Sequence, residues 1–152
     1  EEIYTQILIS ANIDRHKEWN VFAKQGGTAS EALIAFAHEY VSYFLDNNEL
    51  FRILMTFMLQ AENMNLTDEQ NTQLIHTTNE NVHVIAEILQ RGVDSGEFIS
   101  GMDVRRMQYA VWGLLNGVIS LYIYTGVPER RGERIFTIVH DSLNALIKGI
   151  KY

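Results

Sequence analysis

The sequence predicts an all-α domain of about six helices, arranged as an antiparallel helical bundle. Three observations carry this. Apolar residues recur at intervals of three and four along the whole chain. There is no run of alternating β-branched residues, and only one proline, Pro128, interrupts the helical spacing. Helix-capping patterns recur at helix-length intervals. With 152 residues, 47% hydrophobic and 20% charged, the chain suits one globular domain and not a disordered segment.

Each helix can be placed by its own signals. Ile3, Ile7, Leu8, Trp19 and Phe22 set a first helix from Ile3 to about Lys24, ended by Gly26–Gly27. Thr28 caps the second helix, with Glu31 completing a capping box. Its apolar arc of Leu33, Phe36, Ala37, Tyr40, Val41 and Phe44 is wide, so it packs on two sides. Asp46–Asn47–Asn48 breaks it. A short third helix, Glu49 to about Gln60, is nearly all apolar, and a polar loop follows as far as Thr67. Thr67 and Gln70 form a second capping box, opening a fourth helix to about Asp94 with Gly96 just beyond. The fifth runs from near Asp103 to about Thr125, where Gly126–Val127–Pro128 stops it. The sixth, from about Glu133 to Lys148, carries a stripe of Ile135, Val139, Leu143, Leu146 and Ile150.

The fifth helix lies in a stretch, Met107–Pro128, without a charged residue. Its length is enough to cross a bilayer, and arginines flank it, which gives a membrane-associated reading. Gln108, Asn116, Ser120 and three glycines make it only weakly apolar. A second reading is the central helix of a monomeric core. The preferred one is a helix buried partly in its own subunit and partly against a second copy. At about 100° per residue, Val111, Leu115, Val118 and Tyr122 share one face and Ala110, Gly113 and Gly117 nearly the opposite one. A helix with no polar face needs neighbours all round, and a twofold homodimer supplies them. The sixth helix follows a short turn, so it runs antiparallel to the fifth. The expected interface is Ala110, Gly113 and Gly117 with Ile135, Val139, Leu143 and Leu146, forming a four-helix contact.

The formal net charge of −7 and the scattered lysines and arginines argue against DNA binding by these residues alone. No cysteine is present, which excludes disulfides and thiolate metal sites. No signal peptide is visible, and a cytoplasmic location is expected. No nucleophile elbow, P-loop or dinucleotide fingerprint occurs, so neither a catalytic residue nor a cofactor is expected.

Three stretches resemble a known family. Glu2–Leu8 looks like the start of the first helix after the DNA-binding segment in tetracycline-repressor (TetR) regulators. The stretch Ile88–Phe98, with Gly92, Gly96, Glu97 and Phe98, is similar to that family's helix, glycine, Glu-Phe turn. Ala110–Gly117 resembles its penultimate helix. The resemblance spans essentially the whole chain in helix order. It implies an all-α regulatory domain that dimerises through its last two helices and holds a ligand cavity in each subunit. The family's helix-turn-helix is missing and no initiator methionine is present. Operator DNA is therefore expected to be bound only through an N-terminal domain absent from this chain.

A ligand cavity is usually apolar with a few placed polar groups. The candidates are Phe36, Tyr40, Phe44, Phe57, Met58, Tyr109, Trp112 and Asn116, against the plainer reading that aromatics and methionines at helical spacing are core. Asn116 is the favoured polar contact, because an amide inside an apolar helix needs partners. The implied role is a repressor released by a small apolar or aromatic ligand through a population shift. A different reading is a metal-binding bundle. On the fourth helix His76, Glu80, His83 and Glu87 form one stripe, and Glu80-x-x-His83 has the spacing of a di-iron ligand pair. No second such pair occurs, and a solvated face with His–Glu pairs is the plainer account.

Overall fold

In the computed structural model the order is α1 Glu2–Lys24, α2 Ala29–Asp46, α3 Asn48–Gln60, a 3-10 turn Ala61–Met64, α4 Asp68–Asp94, α5 Val104–Tyr124 and α6 Pro128–Ile150. The structure describes the backbone of residues 2–124 and 128–152, and the side chains of residues 3–123 and 134–152. The expected turn residues Gly126 and Val127 lie outside the described residues, as do the side chains of Arg130 and Arg131. Helix α6 begins at Pro128, five residues before the expected Glu133. Proline's fixed φ and missing N–H suit a first helical position.

The capping patterns act locally. At α4 the Thr67 hydroxyl accepts from Gln70 N at 3.1 Å, and the Gln70 carbonyl oxygen accepts from Thr67 N at 3.2 Å. At α2 only half of that box forms. Thr28 Oγ1 accepts from Glu31 N at 3.0 Å, while the Glu31 carboxylate accepts from the Thr28 hydroxyl at 3.2 Å. The remaining N-terminal donors of α2 go to a distant acid. Glu97 accepts from Ala29 N and Ser30 N, both at 2.8 Å, and from Ser30 Oγ. A carboxylate at a helix N-terminus satisfies orphan amides and meets the positive end of the dipole. The polar loop expected after α3 contains the 3-10 turn, which tucks Met64 into the core.

The segment 91–98 gathers several helix ends. Arg91 donates from Nη1 to Ala23 O at 3.0 Å and Gln25 O at 2.7 Å, and from Nη2 to Thr28 O at 3.1 Å. Those carbonyls close α1 and lead into α2. Gly92 O accepts from Phe98 N at 2.9 Å, and Gly96 takes φ +81°, a left-handed conformation natural to glycine. The chain's end joins here too. Ile99 N donates to Ile150 O at 2.9 Å, and Tyr152 N to Glu97 O at 3.2 Å. The end of α6 thus lies beside the residues leading into α5, so the two helices run antiparallel.

Helix α4 is the central member and packs on α1, α2 and α5; α6 closes the bundle on α2 and α5. The core includes Leu33, Phe36, Phe51, Leu74, Ile85, Leu89, Leu115 and Ile119. Here the α6 stripe needs correction. Ile135, Val139 and Leu143 are buried in the protomer's own core, and Leu146 is half-buried against it. α6 has a single apolar stripe, and docking onto α2 and α5 uses it.

Burial by itself raises the Glu97 carboxyl. The hydrogen bonds from Ser30 and Ala29, with Lys151 nearby, outweigh that and hold it below its ordinary value of 4.5. A carboxyl depressed in the folded state adds stability that is complete above the unfolded value and fades as pH falls through the folded one. Urea midpoints should therefore drop between about pH 5 and pH 3, and Glu97→Gln should flatten part of that drop. An unchanged pH profile in the variant would remove Glu97 as its source.

Candidate functional site

The interior of the bundle carries two buried polar clusters on facing walls. The first joins α1 to α4. Asn12 Nδ2 donates to Thr77 Oγ1 at 3.1 Å and Thr78 Oγ1 at 3.2 Å, and Asn81 Nδ2 donates to Asn12 O at 3.1 Å. The second joins α2 to α5. Trp112 Nε1 donates to the Tyr40 hydroxyl at 2.9 Å, and that hydroxyl donates to Asn116 Oδ1 at 2.6 Å. Burial raises the Tyr40 hydroxyl well above its usual value, against the lowering effect of these two hydrogen bonds, so it stays protonated.

Aromatic rings fill the space around these clusters. Trp19 sits with its ring centre 5.7 Å from Phe36, 5.3 Å from Tyr40 and 6.4 Å from Phe44. A cavity of about 10 Å³ remains between the clusters. Trp19, Tyr40, Phe44 and Trp112 supply its aromatic wall, Leu54 and Val82 its aliphatic one, and Asn12, Thr78 and Asn81 its polar one. Among the described residues, Asn116 Nδ2 and Asn81 Oδ1 are buried without a hydrogen-bond partner, as are Thr5 Oγ1, Arg15 Nε, His16 Nδ1 and Gln108 Oε1.

Of the candidates read from the sequence, Tyr40, Phe44 and Trp112 line the cavity, and Asn116 stands one hydrogen bond behind Tyr40. Phe36 is buried in the aromatic cluster, and Phe57 is half-buried. Met58 and Tyr109 are 43% and 48% exposed and take no part in the cavity wall. Asn12, Trp19, Leu54, Thr78, Asn81 and Val82 were not singled out. A readable signal existed on α4, where Thr77, Thr78 and Asn81 fall among apolar residues that face the core.

Ala110, Gly113 and Gly117 lie on the exposed side of α5, and a Cβ at either glycine would meet nothing within 4 Å. A surface groove of about 300 Å³ separates α2 from α6, where His38 stacks on Phe136 at 4.5 Å. The α4 stripe is exposed, with His76 2.9 Å from Glu80 and His83 3.5 Å from Glu87. Among the described residues no three His, Cys, Asp or Glu are grouped to hold a metal ion. No helix among the described residues is long and apolar enough to cross a membrane.

Residues 26–129 match the family described as "Tetracyclin repressor-like, C-terminal domain". The chain belongs to this family. The TetR-like domain is regulatory and not catalytic. Its fold resembles that of the transcriptional regulator FadR from Bacillus subtilis, solved in complex with stearoyl-CoA. The TM-score is 0.74 at 18% identity, over 97% of this chain and 75% of that one. No curated protein matches the chain. Within the TetR-like fold the Gly-Glu-Phe turn has a structural task. Glu97 caps α2, and Phe98 is buried against Gly92.

Proposed function

We propose that this domain senses a small apolar or aromatic effector in the cavity between α1, α2, α4 and α5. It would act as a homodimer whose output is operator-DNA binding by a helix-turn-helix segment N-terminal to it, with the effector releasing repression. One observation carries the reading most: two buried polar clusters face each other across an aromatic cavity. Plain cores avoid buried amides with unpaired atoms, because each costs about 1–3 kcal/mol. Binding sites place a few such groups among apolar walls.

The size of the cavity connects binding to regulation. About 10 Å³ approximates the room one water needs, whereas small-molecule sites run to about 300 Å³ or more. An effector would therefore part the α1–α4 wall from the α2–α5 wall, leaving the hydrogen bonds within each wall in place. A ligand shifts a conformational equilibrium only through its differential affinity for the two states, and a cavity that must expand provides that difference.

The exposed side of α5 and α6 supports the dimer. Ala110, Gly113, Gly117 and Leu121 on α5, with Ile138, Ala145 and Gly149 on α6, are exposed and uncharged. Small residues let a second pair of helices approach closely. Light scattering at micromolar protein should give twice the 17.5 kDa chain mass, and Gly117→Arg should give the monomer. A wild-type monomer would overturn the dimer. Thermal melting against a panel of small apolar and aromatic compounds tests the sensor role. A ligand present at 100 times its Kd adds about 2.7 kcal/mol, and no shift from any compound would count against the cavity.

A further inference from the structure

We propose that the effector is an uncharged molecule offering a hydrogen-bond donor, read by Asn81 Oδ1 on the cavity wall; the proposal rests on the effector reading above. The polarity of both amides is fixed by chemistry. The Trp112 indole N–H can only donate, so the Tyr40 oxygen accepts from it and the Tyr40 proton points onward. Asn116 must receive that proton on Oδ1, which leaves Nδ2 as an unused donor. On the opposite wall the Asn12 carbonyl can only accept, so Asn81 presents Nδ2 to it. Its Oδ1 is the unused acceptor. Both asparagines are 6% exposed.

Charge is excluded by the same wall. Among the described residues, Tyr40 is the one ionisable residue lining the cavity, and its hydroxyl is committed as donor and acceptor. Arg15 and His16, between Asn12 and Trp19 on α1, each carry a buried unpartnered nitrogen but are not part of the lining. Arg15 lies over the Tyr43 ring at 4.7 Å and pairs with Glu18 at 2.9 Å. A carboxylate entering here would lose its hydration with no cation to replace it, which costs several kcal/mol. A neutral amide brings no charge to strand, and its N–H can donate to Asn81 Oδ1.

The chain's two tryptophans, Trp19 and Trp112, both line the cavity, so their fluorescence reports occupancy. The probes are two matched pairs at about pH 8: 2-naphthamide against 2-naphthoate, and dodecanamide against dodecanoate. In at least one pair the amide should bind ten-fold or more tighter than the carboxylate. Asn81→Leu should erase most of that preference while binding of naphthalene persists. Carboxylates binding as tightly as amides would overturn the neutral-ligand inference and leave the effector cavity standing. Failure of all four probes at about millimolar concentration would overturn the effector cavity itself. Should the variant fail to fold, the wild-type amide-to-carboxylate ratio still decides.

Discussion

Gly92→Ala is expected to destabilise the domain by about 2 kcal/mol, although alanine is the better helix former. A Cβ at Gly92 would lie 2.2 Å from Phe98 Cδ2 and 2.4 Å from Cε2. Phe98 is 1% exposed, so the ring has no open side to move into. Its backbone N–H is tied to Gly92 O at 2.9 Å, which holds the two residues together. Relief must come from shifting the 92–98 turn, and that strains the Arg91 and Glu97 hydrogen bonds at the ends of α1 and α2. The helix-propensity gain of about 1 kcal/mol is smaller than overpacking costs of about 1–3 kcal/mol or more. Thermal melting should fall by about 4–8 °C. A melting point at or above wild type would show that Phe98 moves freely.

Trp112→Ala is expected to cost about 3 kcal/mol of stability and to weaken binding of a cavity ligand such as 2-naphthamide about 100-fold. Burial of a tryptophan is worth about 3–5 kcal/mol when lost, and Trp112 is only half-buried. The substitution removes part of the aromatic wall and the donor that sets the polarity of the Tyr40–Asn116 relay. Dimerisation should be spared, because Ala110, Gly113 and Gly117 face solvent on the other side of α5. Trp112→Phe separates the two contributions: it keeps a ring and deletes the donor, at about 1 kcal/mol. Fluorescence titration of the remaining Trp19, beside light scattering, measures both effects. A Trp112→Ala protein with unchanged ligand affinity and lower stability would make Trp112 a packing residue and the cavity assignment wrong.

Whatever rests on near neighbours in sequence was legible before any coordinates. The Thr67–Gln70 box, the stop at Asn47 and the opposed faces of α5 all depend on residues within a turn or two of each other. The second cap of α2 was not legible, because its acceptor, Glu97, is 68 residues from Ala29. The α6 stripe shows a different limit. Periodicity says that a helix has an apolar face and does not say what covers it, so Ile135, Val139 and Leu143 could be assigned to a partner when they serve the protomer. At the cavity, Tyr40, Trp112 and Asn116 were readable as polar or amphipathic groups on apolar arcs. Asn12 and Asn81 were not, since an asparagine on an amphipathic helix reads as surface until the helix opposite is known. Met58 and Tyr109 failed in the other direction: their size suggested burial, and their faces turn outward.

The Arg91 clasp on the carbonyls of Ala23, Gln25 and Thr28 makes α1 a lever with one fixed end. At about 1.5 Å per residue, its 23 residues span about 34 Å. Asn12 lies about 18 Å from the pivot at Lys24, and Glu2 about 33 Å. A wedge that pushes the helix aside at Asn12 would be magnified about 1.8-fold at its N-terminal end. One ångström of swelling between α1 and α2 would become nearly two at Glu2, felt by the buried Thr5, Leu8 and Ile9 on the way.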